Sequence, residues 1–191
     1  MLKALVLKIS IPLLLCFLIA INFGLQYIIP GYVVGIQPRT IYGLIGIITA
    51  PFFHSDQYHL LGNLSVFWLL GILFYLKHSI SKSSLILLSF VIMQGTMVWV
   101  LGRSANHIGL SGIIFSLFGY MIANLVLCFN WKNIGKLLIS MIAVYYYAFL
   151  MPQLFNFNSH ISFEGHISGF LTGILMAKIV LYVDSNIQNR K

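Results

Sequence analysis

A serine and a histidine in two separate apolar segments are the residues of this chain best suited to covalent chemistry. Ser111 stands between Gly109 and Gly112 at the start of an apolar run, and His166 stands near the start of a later one. A serine hydroxyl becomes a nucleophile when a neighbouring base takes its proton, and histidine is the commonest base. The pair predicts a nucleophile and its general base. The alternative is structural, because Gly-x-Ser-Gly is also typical of closely packed membrane helices.

Composition restricts the class of protein before any motif is used. Of the 191 residues, 60% are apolar and 7% are charged, and the mean hydropathy is +0.96. One soluble core cannot hide so much apolar surface. The sequence therefore predicts an all-α polytopic membrane protein whose main partner is the lipid bilayer. Its lysines are scattered singly and form no basic face, so the net charge of +8 does not indicate nucleic acid.

Six apolar segments approach the length of about 20 residues that a membrane helix needs. The predicted spans belong to one domain, residues 1–191, and cover residues 5–28, 59–76, 84–101, 110–130, 134–151 and 164–183. The first is expected to remain as an uncleaved span, because no convincing cleavage motif follows it. Cys16 and Cys128 lie in separate spans and are expected to be buried apolar residues without a disulfide.

The stretch between the first two spans, residues 29–58, does not fit a seventh crossing. Glycine and proline punctuate it, and its apolar part covers residues 40–53. As a helix that part would rise only about 21 Å, whereas the hydrocarbon core is ~30 Å thick. We expect a membrane-embedded or interfacial loop that packs against the bundle.

The basic residues separate into two groups when six spans are threaded through a membrane. Arg39 and Arg103 fall on one side, and the other side carries Lys3, Lys8, Lys77, Lys82, Lys132, Lys136, Lys178, Arg190 and Lys191. Lysine and arginine accumulate on the cytoplasmic side of membrane proteins. We therefore expect a plasma-membrane protein with both termini in the cytoplasm.

Polar residues recur in the first turns of the second, fourth and sixth spans, which all run inward from the outer side. They are His59 and Asn63, then Ser111, then His166. His59 and Asn63 are four residues apart and share one helix face. Ionisable residues inside a membrane usually face the bundle interior, and such a cluster at one depth indicates a functional site. For each residue alone, an interhelical hydrogen bond is the alternative.

Small residues also recur on the fourth and sixth predicted spans. One surface comprises Gly112, Ser116, Gly119 and Ala123, and the other Gly165, Gly169 and Gly173. Such surfaces allow two helix backbones to approach closely. If the two spans pack there, Ser111 and His166 come within reach of each other.

The ordered set of motifs resembles the rhomboid family of intramembrane serine proteases. The set runs from His54, His59 and Asn63 through Gly109-Leu110-Ser111-Gly112 to His166, Gly169 and Gly173. The resemblance covers nearly the whole chain beyond the first span. It implies a six-helix bundle that cleaves single-span membrane proteins in or near their spans, from a site that opens to the outer side.

The resemblance also implies roles for individual residues. Ser111 would be the nucleophile and His166 the general base, while His59, Asn63 and the Ser111 backbone N–H would form the oxyanion hole. His54 would be a structural hydrogen-bonding residue near the site. Phe115 occupies a position where the family often has a tyrosine that stacks beside the catalytic histidine.

Two other functions stay open at this point. A catalytically inactive relative that only binds membrane helices is expected to lack Ser111 or His166, and both are present. A small transporter is expected to show an inverted repeat, and none is visible. No cofactor or metal is expected, because His54 and His59 lack the nearby glutamate of HExxH zinc sites. The remaining histidines are expected in loops: His78, His107 and His160.

Overall fold

The computed structural model describes residues 2–29, 31–127, 134–156 and 161–189, and the regular elements in these residues are helices. The α-helices are α1 (Leu2–Ile28), α2 (Gly43–Thr49), α3 (Gln57–Lys77), α4 (Ile80–Leu101), α5 (Ser111–Leu127), α6 (Ile134–Tyr147) and α7 (Phe163–Asn189). Five helical stretches within the described residues are long and apolar enough to cross a membrane. The predicted all-α, multi-pass membrane fold is confirmed.

Helix α5 corresponds to the fourth predicted span, is shorter than the five long helical stretches, and forms the centre of the bundle. Its 17 residues rise about 25 Å, and most of them are buried, including Phe118 and Tyr120. The predicted span extends to residue 130, but residues 128–130 lie outside the described residues. Neighbouring helices thus cover most of α5, while Ser111 at its start is half-buried.

The predicted fifth span changes its helix type near one end. α6 ends at Tyr147, and a 3-10 helix continues the chain from Ala148 to Phe155. Pro152 lies in this segment, has no N–H to donate and would clash with the carbonyl of residue 148 in an α-helix. The tighter winding redirects the backbone carbonyls that follow, and that of Gln153 turns toward α7.

The predicted interruption between the first two long helices is confirmed, because α2 has only seven residues. A 3-10 turn, Ala50–Phe52, follows it. The side chain of Gln26 on α1 holds the end of this segment, with Nε2 donating to the His54 carbonyl (2.9 Å) and Oε1 accepting from the His54 N–H (3.1 Å). The loop is thereby fastened to the first helix.

The same loop also caps the C-terminus of α4. Arg39 adopts a positive φ of 60°, and its Nη1 donates to the carbonyls of Val100 (3.1 Å) and Gly102 (2.8 Å). Trp99 Nε1 donates to the Thr40 carbonyl (2.8 Å). Arginine side chains satisfy carbonyls that have no partner at a helix end. These bonds fix the loop at the end of the bundle where α5 begins.

Glycines bring α5 and α7 into backbone contact, as the small-residue surfaces predict. A Cβ atom at Gly169 would collide with the Gly112 carbonyl, one at Gly173 with the Ser116 carbonyl, and one at Gly119 with the Phe170 carbonyl. Gly165 differs, because the nearest atom to its Cβ would be Ser162 Oγ in its own segment. The α5–α7 contact is the most extensive between any two described helices.

Gly173→Ala is expected to destabilise the protein by about 1–3 kcal/mol, because the added methyl group has no space between the two backbones. Thermal unfolding in detergent measures the loss. Gly62→Ala on α3 is the matched control, since a Cβ there meets no atom within 4 Å. Alanine is the better helix former, so the control should be as stable as wild type or more so. Equal unfolding temperatures for wild type and Gly173→Ala would contradict the packing argument.

Basic residues meet at the end of the bundle opposite to Arg39. Lys82 Nζ pairs with Asp184 (2.6 Å), and Lys77 Nζ donates to the Lys136 carbonyl (3.0 Å) and to the Ser140 hydroxyl. Cys16 is half-buried and packs against the core. Several residues singled out in the sequence lie outside the described part of the chain: Cys128, Lys132, His160, Arg190 and Lys191.

Candidate active site

Ser111 is the first residue of α5, and a loop with constrained geometry leads to it. Gly109 in this loop has φ +115°, and a Cβ there would lie 2.8 Å from the ring of His59. Both the backbone conformation and the close approach require glycine. The Gly109 N–H donates to the Ala50 carbonyl (2.9 Å), which attaches the loop to the segment ahead of α3.

His166 lies in the first turn of α7, and the residue is 6% exposed. Ring atom Nδ1 is 3.1 Å from the Gln153 carbonyl oxygen. A carbonyl only accepts, so Nδ1 carries the hydrogen, and in the neutral ring Nε2 keeps a lone pair. The ring also stacks on Phe115, with centroids 4.3 Å apart and an interplanar angle of 29°. His166 is therefore held in the orientation and tautomer that a base at Nε2 needs.

One cavity of about 690 Å³ brings together the polar residues of three helices. Its lining includes Ser111, His166, His59, Asn63 and Phe115. Gly109, Gly112 and Ser111 also line a second cavity of about 20 Å³. The convergence expected from the sequence is thus present at one end of the bundle.

The side-chain amide of Asn63 is a donor without a described acceptor. Asn63 is 7% exposed, and its Nδ2 makes no hydrogen bond to any residue that the structure describes. Leaving such a buried donor unsatisfied costs about 1–3 kcal/mol. A donor of this kind in the cavity that Ser111 also lines is suited to donate to a bound molecule.

His59 takes part in a hydrogen-bonded group at the start of α3. Its Nδ1 lies 3.2 Å from Ser55 Oγ, and Ser55 Oγ donates to Asp56 Oδ2 (2.7 Å). Asp56 caps α3 by accepting from the backbone N–H groups of Tyr58 and His59, each at 2.9 Å. The bond from the His59 N–H contributes most to lowering the pKa of the Asp56 carboxyl. The cap holds His59 at the cavity edge.

His54 lies behind the site, in the loop before α3. Its ring is 4.9 Å from that of His59, is 1% exposed and has no hydrogen-bond partner among the described residues. Burial lowers its pKa to about 4, so the ring is neutral. Among the described residues, the hydrogen bonds of His54 are made by its backbone, which pairs with Gln26.

In the part of the chain that the structure describes, the acidic residues pair with groups other than His166. Glu164 pairs with Arg103 (3.1 Å), Asp56 caps α3 and Asp184 lies at the far end. The two-residue spacing predicts that Glu164 points to a different side of the helix from His166. In the structure, Glu164 pairs with Arg103 on the α4–α5 loop. The orienting acceptor for His166 is instead the Gln153 carbonyl. No group of three or more His, Cys, Asp or Glu side chains among the described residues could hold a metal.

Comparison with known proteins identifies the family. A family model for the Rhomboid domain matches residues 42–183, which is more than half of the chain. The chain belongs to the rhomboid family. Uncharacterized proteins of Mycobacterium bovis and Mycobacterium tuberculosis are 28% identical to this rhomboid over 156 residues, which cover 76% of its chain and 63% of theirs.

A relative from an animal extends the comparison. Rhomboid-related protein 1 of Caenorhabditis elegans is 27% identical over 138 residues, which cover 69% of this rhomboid and 38% of that protein. The matched region thus spans less than two thirds of the length of these relatives.

Three contacts near the site of this rhomboid could not be predicted from the sequence. They are the Gln153 carbonyl at His166, the Arg103–Glu164 ion pair and the hydrogen bond between His107 and Ser162. A backbone carbonyl has no residue type, and the paired side chains are 55 or more positions apart. His107 and His78 lie outside the α-helices, as predicted.

Proposed function

We propose that this rhomboid is an intramembrane serine endopeptidase, which hydrolyses peptide bonds in or near the membrane spans of other membrane proteins. The observation that carries the proposal is the shared cavity, which is lined by Ser111, by His166 and by Asn63, whose amide nitrogen has no partner among the described residues. A nucleophile, a base with a free lone pair and a donor for an oxyanion are the three groups that acyl transfer needs.

In the proposed acylation step, the Ser111 hydroxyl oxygen attacks the carbonyl carbon of the scissile bond and His166 Nε2 takes the hydroxyl proton. The bond from Nδ1 to the Gln153 carbonyl keeps the ring in place as it becomes imidazolium. The imidazolium then donates its Nε2 proton to the leaving amine, and the C–N bond breaks. A water molecule that loses its proton to His166 hydrolyses the acyl-enzyme and restores Ser111.

The oxyanion that forms on the scissile carbonyl needs donors placed in advance. We assign Asn63 Nδ2 and the backbone N–H of Ser111 to this role. His59 adds a ring N–H in the tautomer whose hydrogen is on Nε2, which requires the Ser55 hydroxyl to donate to His59 Nδ1 instead of to Asp56. Because α5 begins at Ser111, the backbone N–H of Ser111 has no acceptor within the helix and lies at the positive end of the helix dipole. The three donors come from two helices that share the cavity.

The proposed substrates are single-span membrane proteins. A peptide in a helix has its carbonyls occupied, so the scissile segment must unwind before Ser111 can attack. Small or helix-breaking residues unwind most readily, and we expect a small residue before the scissile bond. The charge distribution of the sequence favours a cavity that opens to the outer side of the plasma membrane, with cleavage near the outer leaflet.

The test uses the purified protein in liposomes with a labelled single-span protein that carries glycine and a small residue near its outer end. We expect two cleavage products, and we expect a fluorophosphonate probe to modify Ser111 and to stop cleavage. Peptide mass spectrometry identifies the modified residue and the cut site. A matched substrate with leucine in place of the glycines should be cleaved more slowly.

Two results would contradict the proposal. Retention of the substrate without products would favour a protein that only binds membrane helices. Modification of a serine other than Ser111, with loss of cleavage, would remove Ser111 as the nucleophile.

A further inference from the structure

Arg103 and Glu164 join the two chain segments that carry the dyad. Arg103 follows α4 in the loop that leads to Ser111, and Glu164 lies two residues before His166. Arg103 Nη1 lies 3.2 Å and 3.1 Å from the two carboxylate oxygens of Glu164, and the Arg103 backbone N–H donates to the same carboxylate (3.3 Å). The carboxylate therefore fixes both the side chain and the backbone of Arg103.

Arg103 contacts two further residues at the start of α7. Its Nη2 donates to the Ile161 carbonyl (2.8 Å), and its guanidinium lies over the ring of Phe163, 5.4 Å from the centroid. The planar guanidinium can bond a carboxylate and stack on an aromatic ring at once, which a lysine cannot do. One side chain thus holds the first turn of the helix that carries His166.

A chain of hydrogen bonds runs parallel to the ion pair. His107 Nε2 lies 3.0 Å from the Arg103 carbonyl, which only accepts, so Nε2 carries the hydrogen. In the neutral ring, Nδ1 then accepts from the Ser162 hydroxyl (2.7 Å), and Ser162 Oγ accepts from the Gly165 N–H (3.2 Å). Each donor in this chain has an acceptor, and the chain links the same two segments.

The ion pair is not what holds the two helices together. α4 and α7 are antiparallel, and their other ends carry a second ion pair, Lys82–Asp184. The backbone contact of α5 with α7 fixes the position of α7 in the bundle. What remains for Arg103 and Glu164 is the local alignment of the segments ahead of Ser111 and His166, and Arg103 lines the same cavity.

We propose that Arg103 and Glu164 are positioning residues that set the alignment of Ser111 with His166. This inference rests on the proposed proteolytic function. It predicts that loss of either partner slows the chemical step and leaves substrate binding unchanged, because neither residue is assigned a contact with the scissile bond. A small displacement of reacting groups is enough to lower a rate strongly.

The test is a double-mutant cycle with Arg103→Gln, Glu164→Gln and the double variant, measured for kcat, KM and the rate of fluorophosphonate labelling of Ser111. We expect each single variant to lose about tenfold in kcat and in labelling rate with KM unchanged, and the double variant to be no slower than the slower single variant. Arg103→Lys keeps the charge without the planar fork and should fall between wild type and Arg103→Gln.

Asp184→Asn is the matched control, because it breaks an ion pair between the same two helices at the end remote from the cavity. It should keep the wild-type kcat. Unchanged kcat in the cycle variants, or an equal loss in Asp184→Asn, would overturn the inference while the proposed function stands. A wild-type protein that neither cleaves nor labels would overturn both. The unfolding temperature of each variant is measured as well, with Arg103→Lys as the mildest change. A variant that loses kcat but keeps the wild-type unfolding temperature is misaligned and still folded.

Discussion

Replacing Ser111 or His166 with alanine is expected to lower kcat for a single-span substrate by about 10⁴- to 10⁶-fold. Without the hydroxyl no acyl-enzyme forms, and without the imidazole neither the proton of Ser111 nor that of the leaving amine is transferred. Because the two groups act in one step, the double variant should be about as slow as the slower single variant. Rates are measured on purified protein in liposomes.

Ser116→Ala is the matched control for the serine. Ser116 lies on the same helix, is fully buried and donates to the Gly112 carbonyl (2.9 Å), and it is absent from the cavity lining. Ser116→Ala deletes a serine hydroxyl of the same helix outside the cavity, so kcat should keep its wild-type value. Cleavage that survived Ser111→Ala would remove the nucleophile assignment, and substrate binding by Ser111→Ala at the wild-type affinity would show that only the chemistry is lost.

Asn63→Ala is expected to lower kcat by about 10²- to 10³-fold with little change in KM, as the loss of one oxyanion donor does. The donor acts on charge that develops only in the transition state, so ground-state binding does not need it. Asn63→Asp should be slower still, because a carboxylate repels the oxyanion. Steady-state kinetics on one substrate separate the two constants.

The unfolding temperature of Asn63→Ala provides a second test of the role of Asn63. Asn63 Nδ2 has no acceptor among the described residues, so removing it breaks no hydrogen bond within the described protein. We expect the unfolding temperature of Asn63→Ala to match or exceed that of wild type.

Asn124 is the control, since it is also 7% exposed but donates to the Tyr120 carbonyl (2.9 Å). Asn124→Ala should lose stability and keep the wild-type KM. Wild-type kcat in Asn63→Ala would exclude an oxyanion role for Asn63.

Helix boundaries illustrate how far local sequence signals reach. The apolar runs predict helices from residues 59 and 84, whereas α3 begins at Gln57 and α4 at Ile80. Asp56 and Ser79 are the N-caps, and a capped helix starts with its polar first turn rather than at its first apolar residue. α7 likewise continues to Asn189, beyond residue 183, where the predicted span ends. The thickness of the membrane limits the length of an apolar run, but a helix can continue outside the membrane.

The sequence by itself determined the class of the protein, the order of the apolar helices that the structure describes, and the set of polar residues that share the cavity. Those properties depend on hydrophobicity along the chain and on the direction of successive helices, both of which are readable without coordinates. Phe115 could also be placed beside His166 from the family resemblance, and the stacked rings have that arrangement.

Tertiary structure alone decided how the candidate base is held. The Gln153 carbonyl selects the tautomer of His166, and it points there because Pro152 accompanies a change from α- to 3-10 winding after Tyr147. Arg103 meets Glu164 only because antiparallel α4 and α7 bring their ends together. Such partners are distant in the chain, and a backbone carbonyl is the same at every position. Hydrophobic periodicity therefore places the helices but does not specify which atoms meet between them.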